Sequence, residues 1–310
     1  MRKSVFVFGS YVTDICARTD TFPVAGETIK GKSFKMGPGG KGSNQAVAAK
    51  RAGAEVTFVT RLGADALGKA AIEFYKEEGL CTDGVIIDKE HQTGAALIIV
   101  DEATAQNQIV VVGGACENFK DEEMQEILKK LEQSHILLLQ LETNLEPVKM
   151  LLKHAKKGGI MTILNPAPAQ HLEDEYLQCV DIITPNETEA QTLTGVDTSN
   201  REGVKKAAAR LLEKGIGKVV ITLGGDGVYA NDGNEERFFD IVTCGTPVDT
   251  TGAGDAFSGG LAAALSRGMD FFEAIRYGST VAGIAVTRYG TAPGMPYEEE
   301  IDRIFKHNLK

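Results

Sequence analysis

The sequence predicts an α/β fold: a three-layer sandwich around a mostly parallel sheet, with a small β-sheet lid. Three observations predict it. From about Ala115 onward, short apolar runs alternate with segments of helical periodicity. These runs are continuously apolar, as strands buried on both faces of a parallel sheet must be. The stretches 12–35 and 92–114 break the rhythm, being short on helical pattern and, in the second, rich in β-branched residues.

The chain opens with "VFVF" before Gly9 and Ser10, a first buried strand too short for the core of a signal peptide or for a membrane span. "GPGGKGSNQAVAA", from Gly37, opens a helix with Ser43 and Asn44 as cap candidates and Gly53 as its stop. Thr93 to Ala115 holds two apolar runs joined by a polar loop, an antiparallel hairpin. With Asp14 to Phe34 it forms a small sheet inserted into the main domain. The strands "HILLLQL", "IMTIL", "DIIT" and "KVVITL" follow, separated by helices such as "VKKAAARLLEKG" with its glycine stop. Asp-Gly pairs at Asp226-Gly227 and Asp232-Gly233 make Leu223 to Phe239 an antiparallel ribbon at the sheet edge. "VDTTGAGDAFSGG" then opens an apolar helix with Phe257, Leu261 and Leu265 four apart. Residues 1–310 thus read as one α/β domain interrupted by a lid.

Composition narrows the partners. A net charge of -10 disfavours surfaces that track nucleic acid or anionic membrane, which draw their affinity from clustered Lys and Arg. The five cysteines lie far apart, form no CxxC and are odd in number, so they read as reduced thiols of a cytoplasmic protein.

The order of elements also places a site. Glu142, Asn165, Asn186 and Gly224 each follow an apolar run closely, and in an open parallel sheet the carboxyl ends of the strands form the ligand crevice. A mostly β flap over that crevice is a lid.

Two glycine clusters carry the chemistry. Gly252, Ala253 and Gly254 leave backbone N–H groups unobstructed at a helix N-terminus, where the dipole also favours negative charge. Asp255, read alone, is an N-cap. Beside an anion cradle, a carboxylate makes chemical sense mainly if it takes a proton from an attacking hydroxyl. In the Gly37 cluster, Lys41 and Asn44 line a pocket for sugar hydroxyls, against the plainer reading of a tight turn with a solvent-facing lysine. Asp14 taken alone is a turn residue. Two standard nucleotide motifs are absent. Phe257 stands where the dinucleotide fingerprint needs its third glycine, and Gly42 follows Lys41 where a P-loop needs Ser or Thr.

"GSYVTD", "GGKGSNQAVAA", "TPNETEA", "VITLGGDG", "DTTGAGDAF" and "AVTRYGTAPGMP", in this order and at these separations, resemble the ribokinase-like carbohydrate kinases of the PfkB type, in their ribokinase branch. The likeness covers nearly the whole chain. It implies ATP-dependent phosphorylation of the 5-hydroxyl of a pentose, D-ribose first, with Asp255 as base and Gly252, Ala253 and Gly254 as anion hole. By the same resemblance Val12, Thr13, Asp14, Gly40, Lys41, Gly42, Asn44 and Glu142 fall on sugar-binding positions, with Ala96 and Ile109 of the lid against the sugar. Asn186, Thr222, Leu223, Gly224, Gly225, Asp226, Gly227, Gly254 and Ser279 fall on the nucleotide side. Glu189 completes an Asn-x-x-Glu element associated with Mg²⁺. Asp249, Thr251, Ala285, Arg288, Gly290 and Gly294 match a K⁺ site, and paired lids imply a homodimer.

Some positions depart from the pattern. Val12 stands where the family commonly has an asparagine that contacts the sugar. A hydroxyl facing valine would be desolvated without a partner, at roughly 1–3 kcal/mol. That favours 2-deoxyribose as the rival substrate, ahead of other sugars or nucleosides. Gly294 offers no side-chain oxygen where a hydroxyl is often found. Cys116 replaces an asparagine, and Ser279 a histidine. A non-catalytic sensor with this fold should have lost the base or the glycines, and both are present.

Overall fold

The computed structural model describes residues 2–104 and 106–308. Its main sheet has nine strands. At the centre, β1 (Val5–Phe8) is flanked on one side by β4 (Val56–Gly63) and β5 (Val85–Asp88). On the other side lie β8 (Ile136–Leu139), β9 (Met161–Leu164), β10 (Ile182–Ile183), β11 (Lys218–Thr222), β12 (Val228–Asn231) and β13 (Glu236–Phe239). Pairing is parallel from β5 through β11, with Val5 level with both Val56 and Ile136. The β11–β12–β13 ribbon is antiparallel and closes the edge, as the Asp-Gly turns predict.

Helices cover both faces. One layer holds α1 (Lys41–Arg51), α2 (Ala66–Glu77), α8 (Ala253–Ser266), α9 (Phe271–Ala285) and α10 (Glu298–Asn308), packed over Val5, Val7, Ile136 and Leu138. The opposite layer holds α3 (Asp121–Leu131), α4 (Leu145–Gly158), α5 (Asp174–Leu177), α6 (Glu187–Thr194) and α7 (Arg201–Glu213), over Phe6, Phe8, Leu137 and Leu139. Alternate residues of β1 and β8 thus feed the two layers, which is why these runs are continuously apolar. No helix among the described residues is long and apolar enough to cross a membrane.

The second sheet has four strands in the order β3 (Ser33–Gly39), β2 (Val12–Thr19), β6 (Thr93–Asp101), β7 (Asn107–Gly114). It contains the expected hairpin, and β3 runs on to Gly39, beyond the boundary at 35 read from the sequence. The region from β4 through α2 to β5 adds a regular βαβ unit at the β5 edge of the main sheet.

Chain direction places the site. The chain passes from β1 to β4 and β5 on one side and then crosses back to β8 on the other, so a crevice opens beyond the carboxyl ends of β1 and β8.

Candidate active site

Two helices point their first turns into that crevice. Gly40, at φ 87°, precedes α1, and Gly252, at φ 78°, precedes α8; both conformations disfavour any residue with a Cβ. Helix α1 therefore starts at Lys41, and Ser43 and Asn44 are helical residues rather than caps. Asp255 is likewise no N-cap: it is the third residue of α8, with no capping bond. The helices cross closely because position 259 is glycine, where a Cβ would stand 2.6 Å from that of Ala48.

This crossing sets Asp255 against α1. Its Oδ2 accepts from Asn44 Nδ2 at 2.9 Å and its Oδ1 from Gln45 Nε2 at 2.9 Å. The carboxylate is 7% exposed, reachable from the crevice but held on both oxygens. Asn44 Oδ1 is buried and finds no donor among the described residues, so it is an acceptor open to a ligand hydroxyl.

Beyond the end of β8, Glu142 Oε2 accepts from Ser10 Oγ at 2.5 Å and from the Lys41 amide at 2.8 Å. Asp14, on β2, faces the same space. Its burial, and after that the charges of Glu142 and Asp255, push its carboxyl up to about 6, against a smaller opposite effect of Thr291. For Lys41, burial disfavours the charge, but Asp255, Glu142 and Glu189 outweigh it and hold its pKa above the ordinary value. This part of the crevice is thus a ring of carboxylates around one ammonium. Val12 lies two residues before Asp14, hence on the same face of β2, and Ala96 is level with Asp14 on β6. Thr13 points to the other face and donates to Tyr11 Oη at 3.2 Å. Ile109 is not brought into this group: it sits half-exposed on β7, two strands out from Asp14.

At the start of α8, the N–H groups of Gly252, Gly254 and Asp255 find no acceptor among the described residues, whereas that of Ala253 donates to Thr250 O at 3.2 Å. The N–H groups left free to meet an anion are therefore those of 252, 254 and 255, with Ala253 shaping the turn. A Cβ on Gly254 would meet nothing within 4 Å, so the cradle is open.

Several of the residues matched to the nucleotide side gather along the neighbouring strand ends. Asn186 is bridged to Thr222. Asn186 and Glu189 cap α6 reciprocally, each accepting the other's backbone N–H at 2.8 Å. Burial first raises the Glu189 carboxyl, a shift that the Asn186 amide and Lys41 oppose. Gly224, Gly225 and Asp226 form an exposed turn, and Cβ atoms at the two glycines would meet nothing within 4 Å. A cleft of about 390 Å³ opens beside it, lined among others by Arg201, Leu223, Gly225 and Asp226. Ser279, on α9, keeps a buried hydroxyl without a partner among the described residues.

The residues matched to K⁺ form a third group. Asp249 accepts from the amides of Thr251, at 3.0 Å, and Gly290, at 3.1 Å. Burial raises its carboxyl, but the bonds to Thr251 and Gly290 outweigh this and leave it below the usual range. A Cβ on Gly294 would lie 3.7 Å from the carbonyl oxygens of Ala285 and Tyr289. These hard oxygens suit a monovalent cation. Arg288 turns its guanidinium to Glu300 and leaves only backbone to such a site.

Three site residues escaped the sequence reading: Ser10, Gln45 and Gln140. Gln140 had a signal, as a buried polar residue at the end of an apolar run.

This architecture, an acid at a helix N-terminus facing polar groups at parallel strand ends, is that of a carbohydrate kinase fold, and comparison with known proteins agrees. Residues 2–298 match the pfkB family carbohydrate kinase profile. The ribokinase of Haemophilus influenzae is 40% identical, over 99% of this chain and 100% of its own. The deoxyribokinase of Salmonella typhimurium is 32% identical, over 98% and 99%. Among solved structures, Arabidopsis thaliana ribokinase complexed with ribose and ATP superposes with a TM-score of 0.90 at 32% identity, covering 99% of both chains. The chain belongs to the pfkB family of carbohydrate kinases.

Proposed function

We propose that this chain is a cytoplasmic ATP-dependent pentose kinase that phosphorylates the 5-hydroxyl of D-ribose. The observation that carries the proposal is the Asp255 carboxylate, fixed by two amides at the edge of an open N–H cradle and across from Lys41. The relatives named for ribose weigh toward that sugar. Five unpaired cysteines accord with a reducing compartment.

In the proposed reaction Asp14, Asn44, Lys41 and Glu142 hold the sugar hydroxyls and present the 5-hydroxyl to Asp255. Asp255 takes its proton as the oxygen attacks the γ-phosphorus. The bond from that phosphorus to the bridging oxygen breaks, and ADP leaves. Charge developing on the phosphoryl oxygens meets the N–H groups of Gly252, Gly254 and Asp255. The bare turn at Gly224 and Gly225 lets backbone approach the nucleotide. When bound, Mg²⁺ neutralises phosphate charge. The Asn186–Glu189 pair would hold it, since Glu189 keeps one oxygen uncommitted. Asp249, with the carbonyls of Thr251, Ala285, Arg288 and Gly290, would hold K⁺ beside the cradle.

The second reading is a 2-deoxyribose kinase. Val12, buried on the face of β2 that carries Asp14, offers no hydrogen bond, and one relative is a deoxyribokinase. One kinetic series tests both. Asp255→Asn should bind sugar and ATP yet lose about 10³-fold or more in kcat, within the range that a lost base and positioning group command. Near-normal turnover in that variant ends the assignment of the base. With the unmodified enzyme, a clear kcat/KM preference for 2-deoxyribose over ribose would transfer the assignment to the deoxy sugar.

The four-stranded sheet would serve as lid and dimer contact. Its outer strand β7 exposes Ile109, Val110, Val111 and Val112, apolar on both faces and at a sheet edge, and Leu97 is half-exposed beside it. Sedimentation equilibrium should give the mass of two chains, and Val110→Glu should shift it toward one. A single-chain mass for the unmodified protein would remove the dimer.

A further inference from the structure

Behind Asp255 the protein interior holds a chain of amides that the catalytic reading has not used. Gln45 is fully buried on α1, one turn into the helix. Its Nε2 donates to Asp255 Oδ1 at 2.9 Å and to Asn165 Oδ1 at 3.0 Å, and its Oε1 accepts from Gln140 Nε2 at 2.7 Å. Asn165 is itself oriented, because its Nδ2 donates to the carbonyl of Thr184 at 2.9 Å. Both hydrogens and the oxygen of the Gln45 amide are therefore spoken for.

The direction of the chain matters. A flipped Gln45 amide would aim its oxygen at Asp255 Oδ1 and Asn165 Oδ1, three acceptors facing one another without a proton between them. Gln140 prevents the flip by donating to Oε1 from the other end. Gln140 can lie there only because position 9, just after β1, is glycine: a Cβ at Gly9 would stand 2.0 Å from Gln140 Oε1. No fold requirement for this arrangement is evident at the end of β8, where an apolar residue would satisfy the core without burying an acceptor that lacks a partner among the described residues.

We infer that Gln45 and Gln140 are positioning residues, an amide relay from the centre of the sheet that holds Asp255 in the one orientation from which it meets the acceptor hydroxyl. The relay acts through Asp255 and touches no substrate. The inference rests on the reading of Asp255 as the base. A carboxylate held by Asn44 alone has one oxygen free to rotate, and a misplacement of about 1 Å at the reacting atoms costs roughly 10²-fold.

Steady-state kinetics on the full chain test this. Gln45→Met keeps the length of the side chain and removes both polar ends. It should lower kcat roughly 10- to 100-fold while moving the KM of sugar and of ATP less than about threefold, since the groups that bind them stay in place. Should that protein fail to fold, Gln140→Met decides. It removes the N–H that fixes the Gln45 amide, so Gln45 Oε1 is left without a donor and the amide is free to turn away from Asp255 Oδ1, giving the same kcat-selective loss. A folded Gln45→Met enzyme within about twofold of the normal kcat, or one whose loss falls in KM, overturns the relay, as does an unchanged kcat in Gln140→Met. Asp255→Asn separates the two levels. If it is inactive while Gln45→Met is normal, only the relay falls; if it turns over normally, the base and the relay fall together.

Discussion

The half of the site around Asp255 and the half around Gly224 and Gly225 are built in opposite ways. Around Asp255 both carboxylate oxygens are bonded to buried side-chain amides, and the helices that carry them are pressed together at Gly259. Around Gly224, Gly225 and Gly254 the backbone is exposed, and nothing stands within 4 Å of where a side chain would begin. On the proposed reading the difference follows from what each half has to do. A base must be oriented before the hydroxyl arrives, so its surroundings are fixed by side-chain amides. Phosphates are bound through N–H groups, which demand bare backbone and an open approach.

A single methyl group on the open half would break this contrast most. Gly254→Ala places a Cβ in the space above the N–H cradle. The substitution should not weaken the fold: the position is helical, uncrowded, and favours alanine over glycine by about 0.5–1 kcal/mol. The expected outcome is an unchanged or slightly higher thermal midpoint with kcat/KM for ATP lowered by roughly 10²-fold, because the transferred group is pushed off line by about 1 Å. Calorimetry and initial rates on the same preparation check both. Full activity in Gly254→Ala would mean that the phosphoryl group passes elsewhere.

The open half was also the half more legible in the sequence. Bare glycines at a helix start signal an anion site by themselves, and the order of strands put Asn186 and Gly224 of this half on the same edge as Glu142 and Asn165 of the other. The buried half was only partly legible. Asn44 was named while Gln45 was not, because neighbouring helical residues point about 100° apart and only the close crossing at Gly259 brings both onto Asp255. Gln140 read as the tail of a strand, since its partner is 95 positions away. The start of α1 was misplaced for a local reason: Ser43 and Asn44 have cap chemistry, but Gly40 in the left-handed region begins the helix earlier. Long-range contacts and backbone dihedrals of this kind leave no periodicity to read.

A smaller effect would sharpen the comparison from the acceptor side. Asp14, a carboxyl of the ring, is pushed up to about 6 from an ordinary 3.8 by burial and by Glu142 and Asp255. The sign follows directly. Because the folded protein holds this proton more tightly than the unfolded chain, ionisation of Asp14 weakens the fold above pH 6, and that part of stability returns as pH falls from about 6 towards 4. Binding runs the other way. If the carboxylate accepts the sugar's hydroxyl protons, the sugar KM should rise as pH falls through 6, approaching about tenfold per unit below it. Lys41 does not contribute, since its pKa is held above the ordinary lysine value and it stays charged throughout. Asp14→Asn should bind sugar more weakly at neutral pH and show no such limb. A sugar KM that stays flat between pH 7 and 5 in the unmodified enzyme would place the sugar away from Asp14, and with it away from the buried half that the amides and the Gly259 crossing hold in place.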